Sequence, residues 1–381
     1  MTPSGALSLR EGDIGAFFDV PFRVYGRDSL YVSPLRSDIE RALDATKNPL
    51  FGPIGGGVRA VYTAHRGDEP VGRIVAHVHG ASNRLFGEQR GCFGFFDCAD
   101  DPAAAALLLG TAEQFARTHG CTRLEGNFNL TAMQQLGVLT SGFAEQPYSD
   151  MQYNPPHIPR LLEQNGFIAT FPVSTFELDL TRFDPACLAQ GRAAERLHDP
   201  ALEWAELKTR DFDRVLEDVR VVLNDGFAQN PMFVPLTADE MRFQAADLSH
   251  VLDPRITALV RQDGEPIGVV LCIPDLNPMF RAMRSRIGIS APWHLLRFKY
   301  ASRRRAVIIF YSVAQRWHGK GLNGAMLHHV TSALKRSGYT SLGLTWIADV
   351  NAASLRQIER IGARRLHRLH LFSKPLGDGN A

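Results

Sequence analysis

No stretch of this chain is apolar for long enough to cross a bilayer. The longest uninterrupted apolar run, Ala103–Leu109, falls far short of the roughly 20 residues that a spanning helix needs. Met1 to Asp19 holds acids at Glu11 and Asp13 and lacks the apolar core of a secretory signal. A cytoplasmic protein with no membrane partner is the expectation. Cysteine is scarce, odd in number and without Cys-x-x-Cys spacing (Cys92, Cys98, Cys121, Cys187, Cys272), which fits buried thiols in a reducing compartment better than disulfides or zinc. There is no His-Glu-x-x-His, and the adjacent His328 and His329 point to different sides of a helix, so no metal is expected. Charge surplus is lacking too: 42 Lys and Arg stand against 40 Asp and Glu, a net charge of +2. That balance argues against a strongly basic nucleic-acid binder, so any anionic partner must be met locally.

What is present is length and repetition. A chain of 381 residues with 45% hydrophobic content exceeds what one core usually serves, so two domains are expected. The pattern VRAVYTAHRGDEPVGRIVAHV (58–78), a hairpin about Gly67-Asp68, returns as RITALVRQDGEPIGVVLCI (255–273). Aligning Pro70 with Pro266 gives 266 − 70 = 196, and aligning Gly166 of LLEQNGF with Gly362 of QIERIGA gives 362 − 166 = 196. Two separated matches at one offset indicate an internal duplication. Each half then reads strand, helix, strand: 92–98, 101–119 and 121–125 in the first; 306–313, 322–336 and 341–347 in the second. An apolar strand feeding a helix and another strand implies an α/β layer. The expected division is 1–182, a linker over 183–202 in which Ala186 to His198 forms a connecting helix, and 203–381.

The most informative stretch is VAQRWHGKGLN (313–323), between an apolar strand and the helix beginning at Leu322. Glycines at 319 and 321 permit a tight turn and leave backbone amides uncovered at the positive end of a helix dipole, a site for phosphate or pyrophosphate. Gly319, Gly321 and Gly324 also fit G-x-G-x-x-G, with Asp349 placed to hold a ribose, as in a dinucleotide-binding oxidoreductase. The loop's late position and the insertion of Arg316 to His318 weigh against that. A glycine turn in a non-catalytic ligand-binding or scaffold protein is the other alternative. From Arg281 to Arg305 there are eight basic residues and no acid (Arg281, Arg284, Arg286, Arg297, Lys299, Arg303, Arg304, Arg305). Such a run is either a solvated face or a place for an anion larger than pyrophosphate: the 3′-phosphate of CoA, an acyl carrier protein or an aminoacyl-tRNA. Trp293, His294, Phe298 and Tyr300, interleaved with it, either stack on a base or belong to a core.

With these pieces in place, the second half resembles the GNAT superfamily. Arg316, Gly319 and Gly321 match its acyl-CoA loop, and Asn351, Ser354 and Gly362 match the element that flanks pantetheine and thioester there. Nearly the whole chain is similar to a bacterial family of tandem GNAT-like proteins, through PFRVYGRDSLYVSP (21–34), Asn48 to Phe51, Val71 to Ile74, Phe93 to Phe96, Phe233 to Thr237, Pro274 to Asn277 and Thr345 to Ile347. The resemblance implies two tandem GNAT-like α/β domains, each a mixed sheet flanked by helices, and an N-acyltransferase. The donor would be acetyl-CoA, another acyl-CoA or a carrier-linked thioester, passed directly to a small-molecule amine. Val313, Arg316, Gly319, Lys320, Gly321, Leu322, Asn323 and Ser354 would hold the donor. Tyr311, His318, Asp349 and Asn351 are the catalytic candidates, Asn351 positioning the pantetheine arm and Asp349 serving as base or, by the stronger reading, capping the following helix. Asn224, Phe233, Asn277 and Trp346 would line the acceptor pocket, although Asn224 also fits a helix end. One departure stands out: where many members carry a tyrosine that protonates the thiolate, this chain has Ile358. The first half keeps Asn154 and Gly166 but has DCADDP (97–102) in place of the glycine loop, so it is expected not to bind CoA.

Overall fold

The computed structural model describes residues 5–205, 211–246, 251–300 and 304–377. In the first half the strands are β1 (Leu7–Glu11), β2 (Val58–Arg66), β3 (Glu69–Val78), β4 (Arg90–Cys98), β5 (Arg123–Gly126), β6 (Val138–Ser141) and β7 (Ile168–Asp179). Its helices are α1 (Ile14–Val24), α2 (Arg36–Leu43), α3 (Gly80–Phe86), α4 (Pro102–Thr118) and α5 (His157–Gln164), followed by the short α6 (Arg192–Leu197). The second half holds β8 (Leu202–Trp204), β9 (Ala258–Gln262), β10 (Glu265–Pro274), β11 (Arg305–Val313), β12 (Ser341–Ala348) and β13 (Arg364–Pro375). Around them lie α7 (Phe212–Gly226), α8 (Ala238–Gln244), α9 (Asn277–Ala282), α10 (Ala291–Tyr300), α11 (Leu322–Arg336) and α12 (Ala352–Arg360).

Local chemistry accounts for the boundaries. The β2–β3 hairpin turns on Gly67 at φ 59°, and the β9–β10 hairpin on Asp263 and Gly264 at 51° and 83°. The α4 helix begins with Asp101 as cap and Pro102 in its first turn, and Gly120 at φ 71° follows its end. The duplication is visible in strand bounds: β10 lies 265 − 69 = 196 residues after β3 at its start and 274 − 78 = 196 at its end, and for β13 against β7 the same sums are 364 − 168 and 375 − 179.

All the strands join one mixed sheet, in the order β1-β2-β3-β4-β5-β13-β7-β12-β11-β10-β9-β8 with β6 paired to β13. The two halves exchange their last strands. β13, the end of the second half, pairs with β5 of the first through Phe372↔Gly126, and β7 pairs with β12 through Phe176↔Leu344. β7 and β13 run antiparallel at the centre, from Arg364↔Glu177 to Ser373↔Ile168. The largest apolar clusters flank this sheet, one between its first half and α4 with α5, the other between its second half and α11. The expected connecting helix over 186–198 is two pieces, a 3₁₀ turn at Pro185–Leu188 and α6, broken where Gly191 takes φ 53°. Four of the five cysteines are buried; Cys187, in that connection, is exposed.

Candidate active site

The parallel strands of each half pair only at their start. β11 follows β12 from Arg305↔Ser341 to Ile308↔Leu344 and then leaves it, opening a wedge between Ile309–Val313 and Thr345–Ala348. The glycine loop stands where β11 ends. Gly321 takes φ 87° as the left-handed cap of α11 and Gly319 takes φ 71°, conformations that a side chain resists. No side chain caps this helix, and the amides of Gly319, Gly321, Leu322, Asn323 and Gly324 donate no hydrogen bond among the described residues. Five N–H groups without an acceptor at a helix start make a nest for an anion.

Two supports fix the loop. On one side Asp225, at the end of α7, accepts the Gln315 amide at 2.7 Å with Oδ2 and the Gln315 side chain at 2.9 Å with its carbonyl. On the other side α6 lies against the glycines, with Arg192 Nη1 donating to Gly319 O at 3.0 Å and Arg196 Nε to Lys320 O at 3.2 Å. The Arg196 guanidinium stands 5.3 Å from the centre of the buried Trp317 ring. These arginines add positive charge beside the nest and escaped the sequence reading, in which their Ala/Arg-rich stretch served only as a connection. Arg316 and Lys320 are exposed, Arg316 without a hydrogen bond among the described residues and Lys320 with its ammonium 5.6 Å from the Trp317 ring centre.

The catalytic candidates divide. Tyr311 donates its hydroxyl proton to Asn323 O at 2.5 Å, and burial raises its pKa well above the usual phenol value. His318 shares a hydrogen with Val313 O at 2.9 Å through Nε2; since a carbonyl only accepts, Nε2 carries that hydrogen. Asp349 does not cap the next helix. Its carboxylate is forked by Arg368 at 2.7 and 2.5 Å, which holds its pKa below the ordinary value and makes it a poor base. The cap of α12 is Asn351, whose Oδ1 accepts the Ser354 amide at 3.1 Å. Ile358, where a tyrosine was the family expectation, is 4% exposed in the core of the second half.

The acceptor candidates each have partners within the protein. Asn224 clamps the backbone of Leu236, donating to its carbonyl at 2.9 Å and accepting its amide at 2.8 Å, while its helix runs on to Gly226. Asn277 is buried and donates to Pro147 O at 3.1 Å, tying the halves together. Phe233 is buried with its ring 5.6 Å from that of Phe227. Trp346 packs, half-buried, on an apolar cluster containing Phe128, Tyr153 and Ala348. Of the basic run, Arg281 donates to Ser29 O and Leu30 O, Arg286 pairs with Asp19 and Arg305 with Asp275, while Arg303 and the side chains of Lys299 and Tyr300 lie outside the described residues.

One carboxylate was missed. The segment 148–153 crosses between the halves: Ser149 N and Oγ both donate to Asp275 Oδ1 at 3.0 Å, Met151 joins the cluster of Val307 and Leu366 with Ile309 alongside, and Gln152 Oε1 accepts from Asn129 Nδ2 at 3.3 Å. Between these anchors Asp150 takes φ 66°. Its side chain is exposed, and the protein packed around it pushes its carboxyl up to about 7 by desolvation. No spacing in the sequence marks it.

In the first half the corresponding places are filled. Asp101 accepts the Ala103 and Ala104 amides at the start of α4 and is forked by Arg66 at 2.6 and 3.0 Å, so a carboxylate sits where an anion would bind. β4 leaves β5 after Phe93↔Gly126, and Asn127 and Asn129 close that wedge by accepting the Phe96 and Phe95 amides at 3.3 and 2.7 Å.

Residues 223–363 match the model of the acetyltransferase (GNAT) family. The chain is 26% identical over 371 residues to a bacterial ceramide synthase of Caulobacter vibrioides, covering 96% of this chain and 95% of the relative. It is 25% identical over 380 residues to Protein YghO of Escherichia coli, covering 97% and 94%. Among solved structures, a tandem GNAT protein from the clavulanic acid biosynthesis pathway superposes with a TM-score of 0.58 at 13% identity, over 98% of this chain and 100% of that one. Residues 223–363 thus carry the match to the GNAT family, and the chain as a whole has the fold seen in a tandem GNAT protein.

Proposed function

We propose that this protein is an N-acyltransferase that takes an acyl group from acyl-CoA at the glycine loop of its second half and passes it directly to the amine of a long-chain amino alcohol. The observation that carries the reading is the meeting of two features: five amides without an acceptor at the start of α11 and, at the same end of β11, the wedge where it leaves β12. The amides with Arg316 suit a pyrophosphate, and a wedge between parted strands suits an extended pantetheine arm. The acceptor class comes from the relative named a bacterial ceramide synthase, since a ceramide is an amide of a long-chain amino alcohol.

In this reaction the neutral amine attacks the thioester carbonyl, a C–N bond forms, the C–S bond breaks, and the thiolate leaves while the nitrogen sheds a proton. Asp349 is held ionised by Arg368 and Tyr311 stays protonated, and we assign the ammonium proton to Asp150, whose neighbour Met151 packs beside Ile309 at the wedge. The rate is then expected to rise through about pH 7, where Asp150 becomes a carboxylate, and Asp150→Asn to remove that limb of the pH–rate profile. Because the folded chain keeps this proton above the ordinary 3.8, Asp150 costs stability increasingly as pH rises from 3.8 to about 7, and the same variant is expected to melt higher than the parent at pH 8. An unchanged limb with unchanged melting would remove Asp150 from the mechanism.

The direct test combines acyl-CoA donors of increasing chain length with sphinganine, following free thiol release and the amide product by mass spectrometry. Donor binding is checked separately: saturating to about 100 times the dissociation constant adds about 2.7 kcal/mol of stability. Binding without turnover for any pair would return the chain to a non-catalytic role. Calorimetry is expected to find one CoA per chain, because Asp101 and the two asparagines fill the first half's equivalent places. A stoichiometry of two would overturn that assignment.

A further inference from the structure

Between α9 and β11 the chain presents apolar side chains to water. Ile289 is 104% exposed, Ile287 65%, Trp293 64%, Leu296 50% and Leu295 43%. The helix α10 turns Ala291, His294 and Phe298 inward, at i, i+3 and i+7, and Phe298 packs beside Val307 and Ile309 of β11. Its outward side is therefore where Trp293, Leu295 and Leu296 stand, the reverse of the polar face that a helix on a monomeric soluble protein shows to solvent. Along the sequence of this patch the charge is of one sign, and in space Asp19 meets it only through its pairing with Arg286 among the described residues. Arg284, Arg297 and Arg304 are exposed and have no carboxylate partner among the described residues, and no acid occurs between Asp275 and Asp349.

We propose that Ile287–Leu296 is a membrane-docking segment that inserts its isoleucines, leucines and Trp293 at the interface of an anionic phospholipid bilayer while the arginines meet lipid phosphates. A tryptophan among aliphatic side chains, rimmed by unpaired guanidinium groups, is the chemistry of an interfacial anchor, in which apolar area supplies insertion and basic charge selects anionic headgroups. A carrier protein or nucleic acid would use the arginines but leave five apolar side chains without a purpose. Among the described residues no helix is long and apolar enough to cross a membrane, so the contact is with one face of the bilayer. This departs from the sequence expectation of no membrane partner. It stands apart from the acyl-transfer reading, although the segment leads through Phe298 to the strand that opens the wedge, where a lipid amine drawn from the bilayer would be used.

The test is co-sedimentation of the full chain with phosphatidylcholine vesicles and with vesicles containing about one part in four phosphatidylglycerol, across a salt series. Binding is expected only to the anionic vesicles and is expected to weaken as salt rises. The triple variant Ile289→Ser, Trp293→Ser, Leu296→Ser should lose binding by about ten-fold or more, with its melting temperature unchanged. The variant Arg284→Gln, Arg297→Gln, Arg304→Gln should bind more weakly and with a flatter salt dependence, and Trp293 fluorescence should shift to the blue when the parent meets anionic vesicles. No vesicle binding by the parent, or undiminished binding by the apolar triple variant, overturns the proposal. So does a concentration-dependent dimer, or a complex with an acidic carrier protein, that forms without vesicle binding and is abolished by the same substitutions.

Discussion

A Gly321→Val chain is expected to show no saturable acyl-CoA binding. The residue sits at φ 87°, where a β-branched side chain is an outlier and where even an unbranched one costs about 1–2 kcal/mol. A Cβ there would lie 2.6 Å from the Arg192 carbonyl carbon and 2.8 Å from the Ala193 amide nitrogen. The substitution therefore also dislodges α6 and the two arginines that hold the loop carbonyls. Sequence reasoning alone predicts loss of binding without loss of fold; the position of α6 adds a lowered melting temperature. Gly319→Ala is the control, since Gly319 is also left-handed, at φ 71°, but has nothing within 4 Å of the added carbon. It should cost about 1 kcal/mol of stability and retain measurable binding. If Gly321→Val bound CoA as tightly as the parent, the pyrophosphate assignment would be wrong.

The second large effect belongs to the first half. Arg73 is 1% exposed and satisfied on every side: Nε to Asp97 Oδ2 at 2.7 Å, Nη1 to Phe17 O at 3.0 Å and Nη2 to the Tyr31 hydroxyl at 2.9 Å. Asp97, 3% exposed, also accepts the Tyr25 hydroxyl at 2.5 Å. Removing the cation alone leaves a buried carboxylate without its partner, so Arg73→Met should destabilise by about 3–5 kcal/mol in urea unfolding. Removing both charges, as Arg73→Met with Asp97→Leu, should recover much of that loss, the signature of a coupled pair. A single-variant loss below about 1 kcal/mol would mean that water reaches Asp97 after all.

The parts legible in the sequence were those encoded by neighbours. Alternation around Gly67 and Asp263-Gly264 located both hairpins, and Asp101-Pro102 and the Gly319–Gly321 pair located both helix starts, because turns and caps are settled within a few residues. Distant partners were not legible. Nothing near Asp349 announces Arg368, a strand away, so capping looked the better reading; the cap went to Asn351, nearer the helix. Asn224 and Asn277 look like pocket amides in a sequence and are backbone clamps in space, since an amide side chain serves either use equally well. The proximity of α6 to the glycines is likewise a matter of packing between segments more than a hundred residues apart.

The central pair of strands has a further consequence. A chain in which β7 completes the second half and β13 completes the first is, in effect, a domain-swapped homodimer whose protomers have been fused end to end. Cutting it at the connection would give fragments that each expose a bare sheet edge, β5 in one and β12 in the other, and each trail an apolar strand made for its sibling. The tether keeps that mutual completion intramolecular, at an effective concentration that no pair of free halves would reach. A first half whose helix start is occupied by Asp101 still supplies, in β7, the strand that covers the β12 edge of the second half.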